Sequence, residues 1–554
     1  QNPICFYFLI INQQGEVLHE DTYAGSNAGE KFLIDLLELE SSWIKPYLNT
    51  YNPMKELNRT QQAEYDNSLT CYMCSGFFTK DDGKVRDHDH SSGEFLGPSH
   101  RSCNLKCRRQ RHLKIFLHNG SAYDFHFIIK ALVKMGTQIK NMYVLPFNME
   151  RFRMIKFNSF MFLDSIAFLQ AGLSTLADDL RISGHDYPIV RQTDLVLTDG
   201  KFDSEKFDMI LQKGFFCYDY CSSLEKMYET QSLPPRQAFY SSIQETSISE
   251  QNYKFAKKVW RKFNVGNLTE YAMLYCRIDT LLLAEVFEKF RDTMMDFSEL
   301  DPAHYVSLPG FGWDTMLKTT GCVIGLPTDI DQVHFIENSI RGGLSFINTR
   351  HKKAGVNEKA SIRYFDANNL YGLSQVGLLP YDNYRWLEPS EIAEFAPLKT
   401  KTSGRLGYIL EVDLTYPEHL HYDHNDYPLA PEQQKLFYED LSPYSKNCYF
   451  DSTNSKTYSS TKLMSTLNDK KKYVVHLKNL KLYLNLGMQC KKIYRVLEFE
   501  QERFIKPFIL KCTEERKKAS SDFDKNLFKK ISNSCYGKTI ENVRDYMKIK
   551  IHTS

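Results

Sequence analysis

The sequence predicts a multidomain protein of mixed α/β and α+β class, and three observations carry that prediction. Strand-like and helix-like patterns alternate along the chain: strand, turn, strand over residues 5–19 is followed by helical spacing at Phe32, Leu33, Leu36, Leu37 and Ile44. Lys114–Leu117 reads as a strand that passes through a polar turn into an apolar helix (Phe127, Ile128, Leu132, Val133). The length, 554 residues with 42% hydrophobic, suggests about three to five domains with several cores.

Composition excludes some classes. The chain starts at Gln1 with no charged-then-apolar leader, so a secreted protein is not expected. The apolar run Cys5–Ile11 is far too short to span a bilayer, and no membrane partner is expected. Thirteen cysteines, odd in number and scattered, argue against a secreted disulfide framework and for an intracellular chain. The net charge of +2 conceals an asymmetry: residues 470–554 hold 21 Lys and Arg against 9 Asp and Glu, a balance of +12, which leaves −10 for the rest. A basic segment with interleaved aromatics (Tyr473, Tyr483, Tyr494) suits a polyanionic partner.

The first constellation is Cys71-Tyr-Met-Cys74, then Asp87-His88-Asp89-His90, then His100-Arg-Ser-Cys103-Asn104-Leu-Lys-Cys107. Cys71/Cys74 and His100/Cys103 are two ligand pairs with matching two-residue gaps, as a tetrahedral structural Zn²⁺ site requires. Cys107 is an alternative to His100 as fourth ligand.

Tyr271 opens an amphipathic helix predicted to run to about Met294. It puts Tyr275 and Asp279 at i, i+4, a phenol and a carboxylate on one face. Pro302, Pro309 and Gly310 mark a domain boundary. Ser361-Ile-Arg-Tyr-Phe-Asp366 reads as a short strand ending on a carboxylate, followed by a small polar turn that delivers Tyr371. A carboxylate at a sheet rim can meet a metal-bridged phosphate. Residues 381–492 form a long excursion, rich in Tyr, Pro, Ser and Asn around 416–460. Near the end, Lys529, Asn533 and Tyr536 or Gly537 fall on one stripe of a helix. Such a stripe offers an ammonium to a triphosphate, an amide for orientation and a flat surface for a base pair. Lys517, in the basic run Arg516–Lys518, adds a further phosphate contact from upstream.

These motifs together resemble the protein-primed family B DNA polymerases of the Polinton/Maverick kind. Asp366-Ala-Asn-Asn-Leu-Tyr371 resembles polymerase motif A, and Lys529-Lys-Ile-Ser-Asn533-Ser-Cys-Tyr536-Gly537 resembles motif B. His118-Asn119 with Tyr123-Asp124 resembles the second exonuclease motif, Tyr275 to Asp279 the third, and Ser165 the single-strand-binding motif. Arg341-Gly342-Gly343 resembles the element joining exonuclease to polymerase, with Ile340 in place of the usual Tyr. The resemblance implies a ribonuclease H-like exonuclease domain (1–60 and 113–298), part of a palm (299–380), an insertion like a terminal-protein region (381–492) and helical fingers (493–554). It makes Asp366 a Mg²⁺ ligand and Tyr371 the residue that excludes a 2′-hydroxyl. Asp124, Asp279 and Tyr275 become exonuclease residues, and Asn119, Ser165, Arg341, Gly342 and Gly343 DNA contacts. Implied partners are template and primer DNA, dNTPs and a terminal priming protein, in the nucleus or at a viral replication site.

Residues 61–112 resemble the zinc module of endonuclease VII-type HNH nucleases, with Asp89 and Leu96-Gly97 departing from the usual pattern. That makes His88 a candidate general base, with Asp87 and Asn104 as metal or orienting groups. No Asp-x-Glu precedes Asn119 and no Asp-Thr-Asp occurs in the 554 residues. The exonuclease and polymerase metal sites, each needing two Mg²⁺ ions, are therefore incomplete here. Residues 1–554 are expected to bind DNA without extending a primer. The alternatives are a structure-specific zinc nuclease and a catalytically dead DNA-binding remnant.

Overall fold

The computed structural model describes residues 3–12, 14–90, 92–106, 112–136, 139–148, 150–347, 349, 351–355, 361–367, 369–542 and 544. They fall into two compact units, Gln1–Thr315 with Glu514–Ser554, and Met316–Thr513.

The first unit begins with an antiparallel hairpin, β1 (Cys5–Ile11) and β2 (Val17–Ala24), turning through Gly15 at φ 77°, a conformation glycine adopts without strain. A second hairpin, β3 (Lys84–His88) and β4 (Phe95–His100), follows. The helix before it, Arg59–Asn67, is closed by a capping box between Asn58 and Gln61. Next, β5 (Leu113–Leu117), β6 (Tyr143–Pro146), β7 (Phe152–Phe157) and β8 (Phe160–Asp164) form a four-stranded sheet of order β5-β8-β7-β6. The β5/β8 pair is parallel and needs a long crossover, which the helix Asp124–Met135 and β6–β7 supply. Phe157, Phe160 and Phe162 are fully buried, packed with Phe125, Ile128 and Leu132 of that helix and with Leu33 and Leu36 of the helix Ala28–Leu39. Each such side chain contributes about 1.5–3 kcal/mol by leaving water.

The amphipathic helix expected near 271–294 spans Leu268–Ser298, capped by Asn267 and ended by Glu299 in the left-handed region. Arg277 on it reaches Glu20 of β2 at 2.9 Å and stacks on Tyr7 of β1, tying the hairpin to the helix. The helix Asp522–Thr539 starts at the Ser521 cap, whose side chain accepts from the N–H of Asp524. It buries Phe523, Leu527, Phe528, Ile531 and Cys535. Gly312 lets a neighbouring helix approach its Ser534, since a Cβ there would meet the hydroxyl at 2.5 Å.

The second unit is built on an antiparallel sheet of β9 (Leu379–Trp386), β10 (Leu406–Thr415), β13 (Lys470–His476) and β14 (Gln489–Glu502), in the order β9-β14-β10-β13. Between β10 and β13 the hairpin β11 (Glu432–Phe437) and β12 (Ser459–Met464) brackets the helix Pro443–Thr453. One face of the sheet buries Leu410, Val412, Val475 and Val496 with Leu477 and Leu480; the other buries Ile409, Val474, Leu497 and Phe499 against Phe335. Residues 416–460 thus hold regular structure, including the helix Pro443–Thr453 and the strand Glu432–Phe437.

The strand expected at Ile362–Phe365 does not form. Ser361–Ala367 is irregular, with Tyr364 91% and Phe365 83% exposed. Strand formers need a ladder partner, and no described strand pairs with this segment.

Candidate metal centre and nucleotide-binding residues

Cys71 and Cys74 sit on a tight turn in which the Ser75 N–H donates to the Cys71 carbonyl and the Cys71 N–H to that of Gly76. Ser75 takes φ 59° to close it. His100 ends β4, and Cys103 follows three residues later in the helix Arg101–Lys106, so both point to one side. One ligand atom from each of Cys71, Cys74, His100 and Cys103 lies within 4.8 Å of the others. The His100 Nδ1 is 3.3 Å from Cys74 Sγ and 3.9 Å from Cys103 Sγ. A tetrahedron with Zn–S of about 2.3 Å has edges of about 3.7 Å, so the residues fit this ion. His100 Nε2 lies 3.0 Å from the Phe77 carbonyl. A proton held there leaves Nδ1 free to ligate. Burial opposes ionisation of Cys71, yet backbone N–H groups of His100, Cys74 and Met73 hold its thiol at about 6. Burial and the two neighbouring thiols push Cys103 up to about 11. Cys107 lies outside the described residues.

Beside this cluster, Asp87 is buried and accepts from the Tyr72 hydroxyl at 2.7 Å. His88 follows it, its Nε2 buried without a hydrogen-bond partner and its ring 4.5 Å from that of His90. Asn104 lies half-buried on the helix Arg101–Lys106.

In the sheet domain, Asn119 adopts the left-handed conformation, and its N–H and that of Ser121 both donate to the Asp164 carboxylate at 2.9 Å. This buried carboxylate, ending β8, holds the polar turn after β5 in place. Asp124 opens the following helix; burial, with the charge of Asp164 adding, raises its carboxyl to about 6. Ser165 is fully buried, donating to the Leu117 carbonyl at 3.1 Å and lying 3.0 Å from His118 Nδ1. It braces the turn and presents no hydroxyl to solvent.

On the long helix, Asp279 forms an ion pair with Lys213 at 2.8 Å, while its Oδ1 is buried without a partner. Burial raises its carboxyl and Lys213 opposes the shift. Burial also pushes the Tyr275 phenol far up, and its oxygen accepts from the Tyr218 hydroxyl at 3.1 Å. Sequence patterns did not point to Lys213 or Tyr218, because neither belongs to a periodic stretch with its partner.

Within the second unit, Asp366 is exposed on the irregular segment and Tyr371 is 51% exposed on the helix Leu370–Gln375. The Asn369 side chain caps that helix by accepting from the Gly372 N–H. Arg341 is folded inward: it donates to the Val474 carbonyl at 2.7 Å and stacks on Tyr473 at 4.0 Å. Gly342 and Gly343 are exposed, with open space around them.

Within the first unit, the buried face of the helix Asp522–Thr539 leaves Lys529 and Gly537 exposed and Asn533 and Tyr536 half-exposed, all on the opposite stripe. Asn533 Oδ1 is buried and accepts no hydrogen bond. Lys517 is exposed in the last turn of the helix Lys506–Lys518.

No helix among the described residues is long and apolar enough to cross a membrane. No curated protein matches the chain. Among solved structures, Phi29 DNA polymerase in an orthorhombic crystal form aligns at TM-score 0.43 and 14% identity, over 82% of this chain and 64% of that one. Its ternary complex with primer-template DNA and incoming nucleotide aligns at 0.41 and 14%, over 82% and 66%. This chain therefore spans a little under two thirds of the first of them. The family described as DNA polymerase type B, organellar and viral, matches residues 104–553. That match includes both polymerase motifs and most of the chain, which belongs to the organellar and viral type B DNA polymerases.

Proposed function

We propose that the chain serves DNA-directed DNA synthesis, in which a 3′-hydroxyl attacks the α-phosphate of a dNTP on a DNA template and pyrophosphate leaves, by binding the DNA and the dNTP. The observation that carries this is the stripe Lys529–Asn533–Tyr536/Gly537, kept clear of the packed face of its helix. Lys529 neutralises triphosphate charge, Asn533 orients from the same stripe, and Tyr536 with Gly537 gives the base pair a flat surface. Lys517 adds a second cation for the phosphates. The resemblance to motif A would give Tyr371 contact with a deoxyribose and Asp366 the Mg²⁺. When bound, that ion supplies charge compensation at the attacking and leaving oxygens.

The parallel β5/β8 pair with its helical crossover supports a ribonuclease H-like reading of the sheet domain. There Asn119, Asp124, Tyr275 and Asp279 would face single-stranded DNA, and Gly342 and Gly343 the template. Cys71, Cys74, His100 and Cys103 would hold a structural Zn²⁺ that pins the insert. A priming protein is the remaining partner of this reading.

Triphosphate binding tests it directly. With Mg²⁺ present, labelled dNTP should crosslink to the full chain. Lys529→Ala should weaken its binding on the order of tenfold, the value of one charge-assisted contact. Asp366→Asn should remove the Mg²⁺ dependence. A triphosphate affinity indifferent to both changes rules the reading out.

A second reading, a nuclease insert with His88 as base and Asp87 and Asn104 as metal or orienting groups, draws support from the unpartnered His88 Nε2. Nicking of branched DNA that disappears in His88→Ala and persists in Asp366→Asn would establish it.

A further inference from the structure

The inner strand β10 of the second unit's sheet is flanked at one level by irregularities on both sides. Opposite Asp413 of β10, the β13 register skips a residue between Leu414↔Lys470 and Val412↔Tyr473, so that Lys471 and Lys472 together face Asp413. On the other side, β14 pairs Leu414 with Cys490 and Asp413 with Lys492, which leaves Lys491 as the extra residue. Lys472 takes φ 47°, a left-handed conformation that a lysine adopts at a cost of order 1 kcal/mol or more. Asp413 anchors it by accepting the Lys472 N–H at 2.8 Å. β-bulges re-aim side chains, and here two of them turn four lysines out at one level of one sheet.

Charge around that level is unbalanced. Asp413 faces the Lys471 ammonium at 3.5 Å and accepts the Tyr494 hydroxyl at 3.0 Å. Lys492 and Lys472 lie over the Tyr494 ring at 4.4 and 5.7 Å. Lys491 bonds only to the neutral Gln489 amide, at 3.0 Å. All four lysines are exposed, Lys471 by 77%. One carboxylate holds the cations in register without cancelling them. Among the described residues Asp413 is the carboxylate that pairs with this group of four lysines, which leaves a net positive charge at this level.

We propose that Lys471, Lys472, Lys491 and Lys492 form a phosphate-backbone contact surface for nucleic acid, separate from the residues assigned to dNTP binding. Contacts of lysine with phosphate carry no sequence information, so this surface sets affinity and salt dependence. It extends the proposed function without depending on dNTP chemistry.

The test is the full chain carrying Lys471→Gln, Lys491→Gln and Lys492→Gln, titrated with fluorescein-labelled 20-mer duplex and with the single strand across a salt series. A control carries Lys435→Gln and Lys462→Gln on the β11–β12 hairpin. Losing three contacts should flatten the log K against log salt slope by about 2 to 3, since each contributes about 0.9 for duplex and 0.7 for single strand. The larger flattening identifies the form of nucleic acid bound. The control should follow the parent protein. Equal slopes for triple variant and parent, or equal losses in triple variant and control, would overturn the proposal. Crosslinking of labelled dNTP should be unchanged in the triple variant. Failure of this surface is thereby distinguishable from failure of the synthesis reading.

Discussion

Two stretches announce a metal most clearly in this sequence, and they fold to opposite degrees. The Cys71–Cys103 knot draws its four ligands from a turn, a strand end and the first turn of a helix, all within 33 residues. Each piece closes through local backbone hydrogen bonds, so the ligand atoms are brought together by short stretches of chain. The segment around Asp366 instead needs a neighbouring strand to make its β-formers into β structure. Without one, it leaves Tyr364 and Phe365 in solvent. Ligand convergence by local geometry is robust, whereas convergence by sheet pairing depends on residues far away.

The largest effect expected from this contrast is at the knot. Purified protein should hold one Zn²⁺ per chain, and Cys71→Ser should abolish it. Because structural zinc binding can supply of the order of 10 kcal/mol of local folding free energy, amide exchange protection should be lost over β3 and β4 while β5–β8 keep theirs. Full protection of the hairpin in a chelated, metal-free sample would show that the knot stands without the ion.

Next in size is a pair of identical substitutions. Phe162→Ala removes a fully buried ring from the sheet core and should cost about 3–5 kcal/mol in denaturant unfolding. Phe365→Ala removes a ring 83% exposed and should stay within about 0.5 kcal/mol. A cost near 2 kcal/mol at Phe365 would mean that its segment pairs in solution, and the contrast between the two stretches would shrink accordingly.

What sequence disclosed follows the same division. Helices announced by periodicity, such as Leu268–Ser298, and the Cys/His ligand set were legible because their determinants lie within a few residues of each other. The Lys529 stripe was legible for the same reason. The Lys213–Asp279 ion pair, the Asp164 clamp on the 119–121 turn and the burial of Ser165 were not, since each joins residues 43 or more apart or depends on packing depth. Arg341, read as a DNA contact, turns onto Tyr473 because a strand 133 residues downstream offers it a carbonyl and a ring face.

The smallest effect concerns protonation, and it separates a sheltered carboxyl from one in solvent. Burial raises Asp124 from its ordinary value of about 3.9 to about 6. A carboxyl whose folded value is the higher binds its proton more tightly in the folded state. Its penalty on stability is therefore absent below about pH 4 and grows as pH rises to about 6. Above that the penalty is constant. Asp124→Asn should then stabilise the chain at pH 7 by about 1–2 kcal/mol, less than the full shift implies because the group is only partly buried, and by nothing measurable at pH 4. Asp366→Asn, at an exposed position, should change stability by no more than about 0.5 kcal/mol. If a divalent cation sits on Asp124, adding Mg²⁺ at pH 7 should erase the advantage of Asp124→Asn, because the ion removes the penalty in the parent protein and cannot do so in the amide variant.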